Sequence, residues 1–348
     1  MQLKPINQQV VAVVGASSGI GRITALKFAK RGAKVVVAAR SEEGLKSLVD
    51  EIRGNGGEAT YVIADVSEFE QIKAIADQTV AEYGRLDSWV HVAATGVISP
   101  FEKITPQEFE RIVQVNLMGQ VYGAMVALPH LKREGRGALI HVSSMQGRRS
   151  LPLQSPYCAA KHGLEGFLES LRVELQYAKL PISVTSILPA TINTPYYNKV
   201  GTKLGVKPTG IPPYYQPELV ADAILYAAEH PIRDFIVGDV GRVLDVLQKI
   251  SPSLVDSLLS VIGIPGQHTG ESKSENAPNN IFAPVEGYDH VEGDFSKLAI
   301  PSLLDWLDMN PPVKWGAFAL AVVGIAVFLS GWHSRNSYSE LFGIFPHN

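Results

Sequence analysis

The chain is poor in cysteine, with Cys158 as its only one. A single thiol excludes an intrachain disulfide and any multi-cysteine metal site, and it fits a reducing compartment. Lying between Tyr157 and Ala159, it reads as a small packing residue and not a nucleophile. Charge of one sign is also missing: 31 Lys and Arg stand against 34 Asp and Glu, for a net charge of -3 and a pI near 6.3. Without a basic field, nucleic acid is not expected as the main partner. No ligand cluster suggests a metal, and no internal repeat stands out. The first residues, "MQLKPINQQVVAVVGASSG", lack the basic start and cleavage site of a signal peptide, so none is expected.

What the chain does have is alternation. From Val10 to Val240 short β-branched runs ("VVAVVG", "KVVVAA", "TYVIAD", "DSWVHVA", "GALIHVS", "ISVTSILP", "DFIVG") alternate with longer stretches of helical periodicity. Continuous apolar strands are buried on both faces, which predicts a doubly wound parallel sheet in a three-layer α/β/α arrangement, a Rossmann fold. The length of 348 residues suits one such domain, expected over 1–262, plus an appendage. Residues 263–312 are rich in Gly, Pro, Asn and Ser and read as a linker with one short helix. Residues 313–348 then carry "WGAFALAVVGIAVFLSGW", a run over 315–332 with no formal charge and a tryptophan at each end. As a helix it would be about 27 Å long, so a transmembrane anchor is expected, with a buried core helix as the alternative. Lys314 on one side and His333 and Arg335 on the other do not set its orientation. A cytoplasmic catalytic domain would place the tail across the bilayer.

The first turn points to a nucleotide. "VVGASSGIGRITALKFAKRG" sets Gly15, Gly19 and Gly21, with Ser17, Ser18 and Ile20 among them, between a strand and a helix. Glycine there allows a tight turn and close approach of a phosphate to the helix N-terminus. At the end of the second strand Ala39 and Arg40 stand where a carboxylate would favour NAD(H), so NADP(H) is expected. Ser17, Arg22 and Ser41 are candidates for further contacts to the extra phosphate. Asp65, closing the third strand, is placed either to meet the adenine amine or to cap its own turn.

A second pattern carries chemistry. In "SPYCAAKHGLEGFLESLRVEL" Tyr157 and Lys161 are about one helical turn apart, so they face the same way. An ammonium beside a phenol favours the phenolate and lets the pair handle a proton.

The ordered glycines with Tyr157 and Lys161 resemble the short-chain dehydrogenase/reductase family over about residues 8–238. That resemblance implies Ser144, thirteen residues before the tyrosine, and Asn116 as the other catalytic residues. It implies Tyr157 as general acid in reduction and base in oxidation, with Ser144 bonded to the substrate oxygen. Lys161 would depress the Tyr157 pKa and hold the nicotinamide ribose, and Asn116 would bind a water linking Lys161 to solvent. Val66, Ala93, Ala94, Pro189, Thr191 and Thr194 are implied as further cofactor contacts. Departures are visible. Val14 replaces the usual threonine, Ala190 follows Pro189 in place of glycine, and His91, Val92, Ala93 and Ala94 replace Asn-Asn-Ala-Gly. His91 is expected to make a structural hydrogen bond and Ala94 to tighten the ribose site.

The expected activity is hydride transfer between NADP(H) and an alcohol or carbonyl. A non-catalytic NADP(H)-binding regulator is the alternative, and an epimerase or dehydratase is disfavoured by the glycine spacing. Tyr196, Tyr197, Tyr214 and Tyr215 suggest an apolar substrate under a lid. Arg148 and Arg149 are expected to face water. The helix "TPQEFERIVQVNLMGQVYGAMVALPHLK" is expected to pair with a twin in a homo-oligomer.

Overall fold

The computed structural model describes residues 1–316, 319 and 320, so the span expected over 315–332 falls almost wholly outside the described residues. Seven parallel strands form the main sheet: β1 (Val10–Val14), β2 (Lys34–Ala39), β3 (Glu58–Ile63), β4 (Ser88–His91), β5 (Gly137–Val142), β6 (Ile182–Pro189) and β7 (Asp234–Val237). Their spatial order is β7-β6-β5-β4-β1-β2-β3, which reverses direction at β1 and β4. Such a switch point opens a crevice beyond the carboxyl ends of the strands, where Gly15, Ser144, Tyr157 and Lys161 line one cavity.

Burial explains the sheet. Every residue of β1, β4, β5 and β6 is buried, because helices cover both faces and leave no side for polar alternation. The helices are α1 (Gly19–Lys30), α2 (Glu42–Gly54), α3 (Phe69–Tyr83), α4 (Pro106–Arg133), α5 (Ser155–Tyr177), α6 (Pro217–Glu229), α7 (Asp239–Ile250) and α8 (Pro252–Ile262). Helix α4 is long and apolar enough to cross a membrane by composition, yet half of its most apolar stretch is packed inside the protein. It opens on a Thr105–Glu108 capping box and contains one π-helical turn, Gln114–Met118. A widened turn of this kind displaces the helix register locally, and Asn116 sits on it.

Residues 1–302 form one compact unit, and a second begins at Leu303. The stretch after 262, expected to be a linker, therefore belongs to the main unit as far as Ser302. It is held through side chains, with Ile281 buried beside Val97 and Ile112, and through its main chain. His268–Ser272 pairs antiparallel with Val206–Pro208, and the His290 carbonyl accepts from Gly19 N–H at 2.9 Å. The Ile300 N–H donates to the Tyr214 carbonyl at 2.9 Å. Main-chain bonding needs no apolar side chains, so a segment of linker composition can still be fixed in place. In the second unit Leu303–Met309 is helical, and Lys314 pairs with Asp308 at 2.7 Å.

Candidate active site

Tyr157 and Lys161 lie one turn apart near the start of α5 and line the same cavity as Ser144. Ser144 ends the β5 exit loop, where its Oγ accepts from the Gln146 N–H at 3.1 Å, and it is hydrogen-bonded to Tyr157. Enclosure pushes the Tyr157 phenol up to about 12, although the Ser144 bond pulls the other way. Lys161 is 1% exposed, and its Nζ donates to the Val142 carbonyl at 2.8 Å and stands 5.5 Å from the Tyr157 ring centre. Burial lowers the ammonium to about 7, while the Glu165 carboxylate resists that shift. The expected depression of the phenol by the lysine is not found: desolvation dominates both groups, and at this separation the cation does not offset it.

Asn116 is fully buried and does not line the cavity. Its Oδ1 accepts from Thr95 N–H at 2.8 Å and its Nδ2 donates to the Thr95 carbonyl at 2.7 Å. The amide is thereby engaged at both ends, and it fixes the β4 exit loop.

The other end of the cavity is walled by Gly15, Ser17, Ser18, Gly19, Ile20, Arg40, Ser41, Asp65, Val66, Ala93 and Ala94, with Pro189 and Thr194 opposite. Two glycines are required by contact. A Cβ on Gly15, whose φ is +88°, would fall 2.4 Å from Ala93 N, and one on Gly21 would fall 2.1 Å from the Gly15 carbonyl oxygen. Gly21 thus packs the turn against α1 without reaching the cavity. This cradle, closed by glycine at the amino end of α1, fits a dinucleotide phosphate.

Several expected contacts lie elsewhere. Thr191 does not line the cavity, and its Oγ1 donates to the Ile211 carbonyl at 2.7 Å. Arg22 turns to α2, donating to Ser47 at 3.0 Å and Glu51 at 2.6 Å. Asp65 caps its own turn, accepting from Ser67 N–H at 3.0 Å and from Arg111, and it also borders the cavity. Burial would raise its carboxyl, yet these donors together hold it below the usual range. The His91 ring nitrogens make no hydrogen bond among the described residues. The ring stacks beside His141 with centres 6.4 Å apart, and burial keeps it neutral by lowering it well below the usual imidazole value. Arg148 pairs with Glu165 and Asp234, and Arg149 with Asp256, so neither is simply solvated.

Of the four lid tyrosines, Tyr196 and Tyr197 line the cavity, with Tyr196 6.4 Å from Tyr157 between ring centres. Tyr214 instead stacks on Phe295 at 4.4 Å, and Tyr215 is wholly buried. Sequence reasoning missed Gln146 and Gln154, which add amides beside Tyr157 and are linked to each other at 3.1 Å. It also missed Asn280, Pro284 and Val285, which carry no motif and reach the cavity only through the fold of the C-terminal stretch.

The short-chain dehydrogenase family pattern matches residues 9–205. An uncharacterized oxidoreductase of Bacillus subtilis is 41% identical over 284 residues, covering 81% of this chain and 80% of that protein. The chain belongs to the short-chain dehydrogenase family. This short-chain dehydrogenase is also 31% identical over 237 residues to a 3-oxoacyl-[acyl-carrier-protein] reductase of Thermotoga maritima, covering 67% of this chain and 94% of the reductase. Among solved structures, the actinorhodin polyketide ketoreductase with NADPH superposes with a TM-score of 0.60 at 27% identity, over 69% of this chain and 99% of that one. A family member from Burkholderia phymatum in complex with NAD shares the fold at a TM-score of 0.65 and 22% identity, over 73% of this chain and 96% of the other. The short-chain dehydrogenase described here is an oxidoreductase of CH–OH and C=O groups.

Proposed function

We propose that this enzyme transfers hydride between NADP(H) and an alcohol or carbonyl whose body is largely apolar. The observation that carries the reading is one continuous cavity with Tyr157, Ser144 and Lys161 at one end and the glycine cradle with Arg40 at the other. The nicotinamide of a bound cofactor supplies or accepts the hydride. Ser144 and Tyr157 together bind the substrate oxygen, and Tyr157 gives it a proton in reduction and takes one in oxidation. A phenol held neutral by its surroundings suits the acid role. Lys161, buried beneath Tyr157, orients the sugar nearest the reacting carbon. Tyr196, Tyr197 and Ile192 favour an apolar substrate body, while Gln146 and Gln154 provide amides for one polar group on it.

A carbonyl and alcohol panel with stereospecifically deuterated NADPH tests the reading. Label appearing in a product supports it. Tight NADPH binding with no transfer to any compound would replace it with the regulatory reading.

The uncharged run over 315–332 is read as a bilayer anchor for a cytoplasmic catalytic domain, supported by the exposed apolar residues Val243, Val246 and Ile250 on α7 and Leu254, Leu258 and Val261 on α8. Full-length protein that stays soluble without detergent overturns it. The partly exposed α4, with Met125 57% exposed, is read as a homo-oligomer face, and a monomer in sedimentation would reject that.

A further inference from the structure

Two segments with no place in the catalytic pattern meet at the adenosine end of the cavity. One is the single helical turn Tyr196–Lys199 that follows β6, and the other is the C-terminal stretch from Asn280 to His290. Lys199 reaches across to the glycine turn and donates from Nζ to Ser18 Oγ at 2.6 Å. Ser18 stands at the N-cap of α1 but makes no side-chain cap bond, so its hydroxyl serves the lysine. The Lys199 carbonyl accepts from Asn280 N–H at 2.9 Å, and the Asn280 carbonyl accepts from Arg40 at 2.6 Å. One residue of the C-terminal stretch therefore ties together two cations that are far apart in sequence. Both line the cavity, and among the described residues Lys199 forms no ion pair. The nearby acids come from the same stretch: Glu286 accepts from Ser41 Oγ at 2.8 Å, and Asp289 from Ser47 Oγ at 3.3 Å.

We propose that Lys199 is a second ligand, with Arg40, for the 2′-phosphate of NADP(H), and that Glu286 opposes that phosphate at Ser41. This rests on the NADP(H) reading above and deepens it. Glu286 shares Ser41 with the expected phosphate position, so its carboxylate repels the dianion and must yield the hydroxyl to it. The charged groups facing Lys199 are Arg40, Glu286 and Asp289. Burial, reinforced by Arg40 and resisted by the two acids, lowers the lysine to about 8. The ammonium is present at neutral pH and is lost as pH rises above that value, whereas an arginine would stay charged.

The full chain is titrated with NADPH and with NADH by fluorescence, as the unaltered protein and as Lys199→Gln, Lys199→Arg and Glu286→Gln. Lys199→Gln should weaken NADPH by about tenfold or more with little change in NADH. Lys199→Arg should keep NADPH tight and remove the loss of NADPH affinity that the unaltered protein shows on crossing to alkaline pH. Glu286→Gln should tighten NADPH and leave NADH alone, a gain that a misfolded variant cannot mimic. Unchanged NADPH binding in Lys199→Gln overturns the assignment. Equal loss of both cofactors also overturns it, by placing the lysine on the shared pyrophosphate or in the fold. NADH bound as tightly as NADPH by the unaltered protein is a different result: it refutes the cofactor reading itself and this inference with it.

Discussion

Asn116 and Thr95 hold each other in both directions, with the side-chain amide of the first accepting from and donating to the main chain of the second. The pair joins the π-helical turn of α4 to the loop that leaves β4 beside Ala93 and Ala94. Removing the amide strands a buried N–H and a buried C=O at once. Asn116→Ala should lose about 2 to 4 kcal/mol of stability, read from the urea midpoint, and should weaken cofactor binding as the loop relaxes. Stability equal to the unaltered protein would mean that water satisfies Thr95 equally well.

Tyr157 is raised to about 12, so it is a neutral phenol throughout the neutral range. Alcohol oxidation, which needs the phenolate, should climb by about tenfold per pH unit from roughly pH 7 to 9, while carbonyl reduction stays nearly flat. Tyr157→Phe should cut both directions by at least about a hundredfold and leave NADPH binding near normal. A steady-state pH series in both directions checks the contrast, and an oxidation rate independent of pH contradicts the assigned base.

Lys161 stores instability in the site. Its pKa falls from 10.5 to about 7 on burial, so the unfolded chain binds the proton more tightly than the fold does. Stability therefore rises as pH increases from the folded value toward the unfolded one, and the cost is largest at and below neutrality. Lys161→Met should raise stability at neutral pH by about 1 to 2 kcal/mol, net of the lost Val142 bond, and abolish turnover. The gain should shrink in alkali. A variant less stable than the parent at neutral pH would show that the Val142 bond outweighs desolvation.

Arg40 faces the cavity from the end of β2, held by the Asn280 carbonyl. Arg40→Ala should weaken NADPH by about tenfold or more and NADH far less, since a charge-assisted bond to the extra phosphate is lost. Equal effects on both cofactors in a fluorescence titration would assign the guanidinium to holding the C-terminal stretch alone.

The sequence by itself determined the seven-stranded sheet, because unbroken apolar runs such as "VVAVV" and "VVVAA" have no stable position except between two covering layers. It also determined that Tyr157 and Lys161 face one way, since helical geometry alone sets positions four apart. Tertiary structure decided what local pattern cannot carry. Asn116 is bonded to Thr95, Arg22 turned to α2, and Tyr214 away from the cavity to Phe295, each because a partner distant in the chain came within reach. Composition suggested a linker after 262. The Glu286 side chain bonds Ser41, and main-chain groups of the stretch bond Gly19, Lys199 and Arg40, placing Asn280 beside the last. Main-chain bonds are made by groups that every residue possesses, so no residue pattern announces them; only the path of the whole chain brings donor and acceptor together.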